Sequence, residues 1–176
     1  MKSFLGLSII TILLTGCITV HTGKPAATKE IKLKGANIVE NTKTTNRIVT
    51  RGQLICEAGQ SCPELSIDWQ PTRGEYALSL HLYDQKQLEM NEFTFIVDGK
   101  IYSYSVIGQT DYRQLEKSNI VDSSNTVMVP DRLLKNFKNA KNIAVVMSTN
   151  QGDITHYMYK NNVKSDAYRL FLRAYT

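Results

Sequence analysis

The chain has 176 residues, a formal net charge of +5 at pH 7, three cysteines and three histidines. That length suits one domain with a real hydrophobic core rather than several. So few histidines leave little material for an imidazole-based metal centre, and the positive balance points toward anionic partners. The first element is Met1-Lys2-Ser3 followed by FLGLSIITILLTG: one lysine, then a short uncharged run rich in Leu and Ile. This is the charged and apolar pair of regions of an export signal. The run falls short of the ~20 apolar residues a membrane-crossing helix needs. It is also apolar all round, whereas a surface helix of a soluble domain is striped.

The run ends in Leu14-Thr15-Gly16-Cys17, which resembles the lipobox of bacterial lipoproteins. The resemblance covers the first tenth of the chain. It implies cleavage before Cys17, whose sulfur carries a diacylglyceryl group and whose acyl chains, palmitate among them, hold the mature protein on a membrane. Two or more chains at ~0.8 kcal/mol per buried CH₂ give stable rather than transient attachment. Ile18 stands where an Asp commonly retains Gram-negative lipoproteins at the inner membrane. By the same resemblance the expected address is the outer membrane of a Gram-negative host, on its periplasmic side or surface. Residues 1–16 are then a signal peptide, 17–30 a lipidated N-terminus and polar tether, and 31–176 one globular domain. Removing sixteen residues from 176 leaves 160 and, with the loss of Lys2, takes the charge from +5 to +4.

With Cys17 assigned, Cys56 and Cys62 remain, and export places them where a pair is expected to form a disulfide. Their spacing is not C-x-x-C, and no thioredoxin-like βαβ pattern surrounds them. Between the tether and the first cysteine, Ala36 to Val39 and Ile48 to Val49 read as short weak or edge strands. ELSIDWQ (64–70) alternates Leu65, Ile67 and Trp69 against Ser66, Asp68 and Gln70, a strand period, and PTRG turns the chain. EYALSLHLYD (75–84) places Tyr76, Leu78, Leu80 and Leu82 on one face. Asp98-Gly99 centres a hairpin, whose two-residue turn sets Phe95 opposite Tyr102 and Phe93 opposite Tyr104 on a face expected to be buried, with Ile96 opposite Ile101 behind it.

Residues 108–125 are polar and fit a short helix or a long loop equally. TVMV (126–129) reads as a strand. Pro130 and Asp131 open a helix to about residue 140 with Leu133, Leu134 and Phe137 as its stripe. NIAVVMST and ITHYMYK flank a second turn at 150–153, with Tyr157 and Tyr159 expected on one face and His156 sharing a face with Ile154 and Met158. Ser165 caps a helix over about 165–175, striped by Ala167, Leu170, Phe171 and Ala174. Strands in the middle and helices afterwards argue for α+β: a mainly antiparallel sheet of five to seven strands with two helices packed on it.

Catalytic motifs are scarce. The sequence contains no G-x-S-x-G, no H-E-x-x-H and no phosphate-cradling glycine loop, so none of the corresponding chemistries is indicated. His81 has Asp68 and Asp84 as possible partners for general-base work, and Glu57, Glu64, Asp68 and Glu75 cluster near the cysteines as paired-carboxylate candidates. Both patterns are ordinary on exposed strands and loops. Arg132, Lys135, Lys138 and Lys141 recur every third residue and form the candidate binding surface, for an acidic protein or a membrane. No metal or cofactor is indicated, and no nucleic acid. The reading is a non-enzymatic binding or assembly module, anchored in the cell envelope through Cys17 and facing an envelope protein or an anionic envelope component. The alternatives are an inhibitor of an attacking hydrolase such as lysozyme, although its S-G-x-x-Y motif is missing, or an envelope hydrolase using His81.

Overall fold

The computed structural model describes residues 29–33, 36–40, 47–56, 61–69 and 75–175. The expected leader and lipobox with Cys17, Glu57 and the expected turn at 71–74 lie outside the described residues. The expected α+β class is present, with the strands divided between two antiparallel five-stranded sheets and a separate hairpin. The hairpin is β1 (Lys29–Leu33) with β2 (Ala36–Glu40), and β2 lies alongside β3. β1 therefore begins within the stretch expected to end the tether.

The first large sheet contains β3 (Ile48–Gln53), β4 (Glu64–Trp69), β5 (Glu75–Asp84), β8 (Asp111–Gln114) and β9 (Val121–Pro130), in the order β3-β4-β5-β9-β8. The second contains β6 (Met90–Val97), β7 (Lys100–Ser105), β10 (Ile143–Thr149), β11 (Gly152–Lys160) and β12 (Val163–Lys164), in the order β12-β11-β10-β6-β7. The period-two alternation read from the sequence decides which faces meet. Leu65, Ile67, Trp69, Tyr76, Leu78, Leu80 and Leu82 of the first sheet join Phe93, Phe95, Ile143, Val145 and Met147 of the second in one core.

The 98–99 hairpin has the expected register, with Phe95 opposite Tyr102, Phe93 opposite Tyr104 and Ile96 opposite Ile101. Asp98 and Gly99 both have positive φ, 48° and 82°, the primed-turn geometry that matches strand twist. Phe93 and Phe95 are wholly buried, while Ile101 on the opposite face is 69% exposed.

α1 (Asp131–Asn139) and α2 (Asp166–Ala174) insert their apolar stripes into this same core. Phe137 of α1 meets Phe95 at 5.5 Å between ring centroids and Phe171 of α2 at 6.1 Å. The Tyr168 hydroxyl donates to the Phe137 carbonyl at 2.7 Å, satisfying an end-of-helix carbonyl of α1. Ser165 caps α2 by accepting from the Tyr168 N–H at 3.1 Å, as expected.

Two sequence expectations change. The polar stretch at 108–125 is neither helix nor simple loop: it supplies β8 and the first half of β9. Its buried polar groups are matched one by one. The Ser123 hydroxyl accepts from the Leu88 N–H, Asn125 donates to Thr110, and Asp122 accepts from Arg113. Tyr157 and Tyr159 do not share a face. Ile143 pairs with Tyr159 but Ala144 pairs with Tyr157, so Met158 is an extra, bulged residue. The bulge turns Tyr159 inward to stack on Tyr168 at 5.2 Å, while Tyr157 lies under the Lys160 ammonium at 3.8 Å.

Candidate functional site

The outward face of the first sheet is a charged ladder fixed by strand register. His81 Nδ1 lies 3.0 Å from Asp122 Oδ1, and Arg113 donates to Asp122 Oδ2 at 2.8 Å. The Asp122 side chain is 3% exposed although it points away from the core, because Arg113 and His81 cover it. Thus His81 pairs with neither Asp68 nor Asp84, the two partners considered from sequence. β5 pairs with β9 along its whole length, which brings in an acid that a strand-by-strand reading had not located. Asp68 is held instead by Arg47, and Asp84 accepts from the Lys86 N–H.

One step along the same face, Arg51 Nε donates to Glu64 Oε2 at 2.6 Å. The Tyr83 hydroxyl donates to the same oxygen and accepts from Arg51, both at 2.9 Å. Of the four carboxylates grouped near the cysteines, Glu64 and Asp68 are therefore each engaged by an arginine. Burial, reinforced by the bond to Glu64, pushes the Tyr83 hydroxyl up to about 12. Burial and the neighbouring Tyr159 and Asp98 push Tyr168 to about 12 as well.

Both phenols stay neutral in the fold well above the ordinary tyrosine value of about 10. A raised folded value means the stability they contribute is complete below pH ~10 and is lost as pH climbs toward ~12. Denaturant midpoints measured across that window should fall, and the Tyr83→Phe/Tyr168→Phe double variant should flatten the fall. An equally steep fall in the double variant would assign the effect to other groups, Tyr175 among them, whose hydroxyl is also raised by burial and its bond to Asp131.

Two clefts open beside the Arg51–Glu64–Tyr83 cluster. The first, of about 390 Å³, lies where α2 crosses β3 and is lined by Arg51, Gly52, Gln53, Glu64, Asp166, Arg169, Leu170 and Arg173. Arg169 and Arg173 are one helical turn apart and so share a side of α2. Arg169 is ion-paired with Asp166, while among the described residues Arg173 has no ion pair. None of these three arginines stood out in the sequence; the i, i+4 pair on α2 was the available signal.

The second cleft, of about 460 Å³, opens next to the cysteine loop, with Leu82, Leu88, Ile120 and Ile154 as apolar wall and Tyr83, Asp84 and His156 as polar groups. His156 Nδ1 is 3.1 Å from the Ile55 carbonyl. A carbonyl only accepts, so Nδ1 carries a proton in this contact. His81 lines neither cleft.

The basic run on α1 is spread rather than gathered. Arg132 is exposed, Lys135 is ion-paired with Asp131, and Lys138 lies 5.9 Å from the Tyr175 ring. Lys141 falls beyond the helix end, where its N–H donates to Asp98 at 3.0 Å. The Lys135 and Tyr175 bonds hold the Asp131 carboxyl below its usual value. Among the described residues no group of three or more His, Cys, Asp or Glu side chains is placed to hold a metal ion.

Cys56 and Cys62 are at disulfide distance, with Cα atoms 5.6 Å apart. Next to them, Ile55 bridges to Tyr157 of β11 and so ties the two sheets together. Closing so short a loop contributes about 2 kcal/mol in the chain-entropy picture. Cys56→Ser should therefore lower the thermal midpoint while the circular dichroism spectrum stays native; complete unfolding would mean that the link anchors the inter-sheet bridge as well.

No family model matches the chain, and the searches of curated proteins and of solved structures return no significant match.

Proposed function

We propose that the protein is a lipoprotein of the cell envelope, anchored by acylated Cys17, that works as a non-enzymatic binding or assembly module. The observation that carries this reading is the sequence Leu14-Thr15-Gly16-Cys17 at the end of a short apolar leader. Other features agree with it. A cysteine pair at disulfide distance suits an oxidising compartment. Among the described residues no helix is long and apolar enough to cross a membrane.

The arrangement of the sites favours binding over hydrolysis. His81, the base considered for an envelope hydrolase, stands on a sheet face with both neighbours, Asp122 and Arg113, in structural ion pairs. The two clefts instead offer guanidinium groups in one and an apolar wall with a few hydrogen-bonding groups in the other, the make-up of ligand sites. In a Gram-negative host the expected address is the outer membrane.

Metabolic labelling with palmitate tests the anchor. The wild-type protein should take up label and lose its first sixteen residues, and Cys17→Ala should accumulate as an unlabelled full-length precursor. Labelling of Cys17→Ala, or an intact Met1 in the mature wild-type protein, would overturn the reading. Crosslinking in intact envelopes followed by pull-down then addresses the module: a stoichiometric partner supports binding, whereas processed glycan would return the hydrolase reading.

A further inference from the structure

We propose that the cleft between β3 and α2 is a phosphate-binding site, with Arg173 and Arg169 as its ligating groups and Arg51 as a fixed positive wall. Three guanidinium groups and two carboxylates line one cavity of about 390 Å³, which leaves one net positive charge. The three arginines are not equivalent. Arg51 is held in place by Glu64 and Tyr83, so it shapes the field rather than swinging onto a ligand. Arg169 is held by Asp166 in a pair whose side chains are 55% and 53% exposed, and a surface pair of that kind is weak and easily exchanged. Arg173 has no ion pair among the described residues, so its fork is available without breaking anything.

Placed i, i+4 on α2, Arg169 and Arg173 both line this cleft with planar guanidinium groups, although Arg169 also donates from one nitrogen to the Lys164 carbonyl at 3.2 Å and from the other to Asp166. Paired guanidinium groups match the tetrahedral, multiply accepting geometry of a phosphate. A ligand must also displace Asp166 from Arg169. A phosphate monoester carries ≈ −1.5 to −2 at pH 7, so it competes with that carboxylate better than a second carboxylate does. Leu170, 5% exposed, also lines the cleft. The guanidinium groups therefore share the cavity with apolar surface, beside which water screens the attraction less.

The same chemistry is available from a soluble phosphate and from the headgroup of a phosphorylated envelope lipid. This inference goes beyond the anchoring proposal and is read independently of it, since phosphate binding does not require acylation.

The test is calorimetric titration of the full-length protein in neutral detergent with inorganic phosphate, then with water-soluble dihexanoyl phosphatidic acid, and with acetate as the carboxylate control. Saturable phosphate binding is expected, with acetate much weaker. Affinity should fall about tenfold in Arg173→Ala and in Arg169→Ala, as loss of a charge-assisted bond implies, and less in Arg173→Lys, which keeps the charge but loses the fork. Arg132→Ala on α1 removes the same charge elsewhere and should leave the affinity unchanged. Thermal melts of all four variants should match the wild type, because the altered side chains are exposed. If the phosphatidic acid binds at least as tightly as phosphate, the site takes a lipid headgroup. If it is excluded while phosphate binds, the site serves a soluble phosphate. Absence of saturable phosphate binding, equal binding of acetate, or an Arg132→Ala loss as large as that of Arg173→Ala would overturn the site.

Discussion

Phe171→Ala is expected to cost 3–5 kcal/mol, the range for truncating a fully buried phenylalanine. The ring is wholly buried and sits where both helices and the first sheet meet. Its centroid is 6.4 Å from Trp69, 6.1 Å from Phe137, 6.2 Å from Tyr168 and 5.0 Å from Tyr175. Through Phe137 and Phe95 the chain of rings continues into the second sheet. Each aromatic contact adds about 0.5–1.5 kcal/mol beyond area burial, but the contacts share one ring and do not sum independently.

A domain of this size has on the order of 5–15 kcal/mol in all, so a single truncation removes a large part of it. The urea midpoint should drop accordingly, and the melting temperature should fall by about 10 °C or more. The neighbouring Leu172 is only half-buried, so Leu172→Ala should cost less than half as much. A loss below about 1 kcal/mol for Phe171→Ala would mean that the helices settle onto the sheets without this ring.

The sequence carried the parts of the fold that repeat with a period. Tyr76, Leu78, Leu80 and Leu82 alternate strictly and are all buried, and the Asp98-Gly99 turn fixed three cross-strand pairs in advance. Strand period and turn chemistry are local, so a local reading recovers them. What was not legible depends on which strands become neighbours. β9 begins with Val121-Asp122-Ser123-Ser124-Asn125, part of the polar stretch that reads equally as a short helix or a long loop. It becomes a strand because each buried polar group meets a partner distant in sequence: Leu88 for Ser123, Thr110 for Asn125, and His81 with Arg113 for Asp122.

The Tyr157–Tyr159 pairing was misjudged for a related reason, since one bulged residue, Met158, reverses the alternation that a regular strand would keep. The candidate site shows the same division. The leader and lipobox proposed from residues 1–17 rest on a contiguous stretch that a local reading can address, whereas the arginine cleft draws Arg51 from β3 and Arg169 and Arg173 from α2, more than a hundred positions away. Basic residues on α1 attracted attention because they recur in sequence; those of the cleft converge only after α2 has crossed β3.

Gly52→Ala is the substitution where two physical effects predict opposite signs, and the magnitudes decide between them. Glycine within a strand is usually a weak point, and replacing it with alanine should gain roughly 0.5–1 kcal/mol from reduced chain entropy alone. Here a Cβ at residue 52 would lie 2.6 Å from the Ala167 nitrogen, 2.8 Å from the Asp166 carbonyl carbon and 2.9 Å from the Ala167 Cα. All three are backbone atoms of the first turn of α2, so no side chain can rotate away. Either β3 or α2 must move. α2 is held at that end by the Ser165 cap and further along by Phe171 in the core, so a shift carries the whole helix. Overpacking of this kind typically costs 1–3 kcal/mol, occasionally more, which outweighs the entropic gain. The expected net effect of Gly52→Ala is a loss of about 1–2 kcal/mol, and Gly52→Val should lose more. Because Arg169 and Arg173 ride on α2 while Arg51 stays on β3, the same displacement should weaken phosphate binding without removing any charged group. Equilibrium urea unfolding checks the first effect and phosphate titration the second. A Gly52→Ala protein as stable as the wild type, or more so, would show that α2 does not rest on β3 at this glycine.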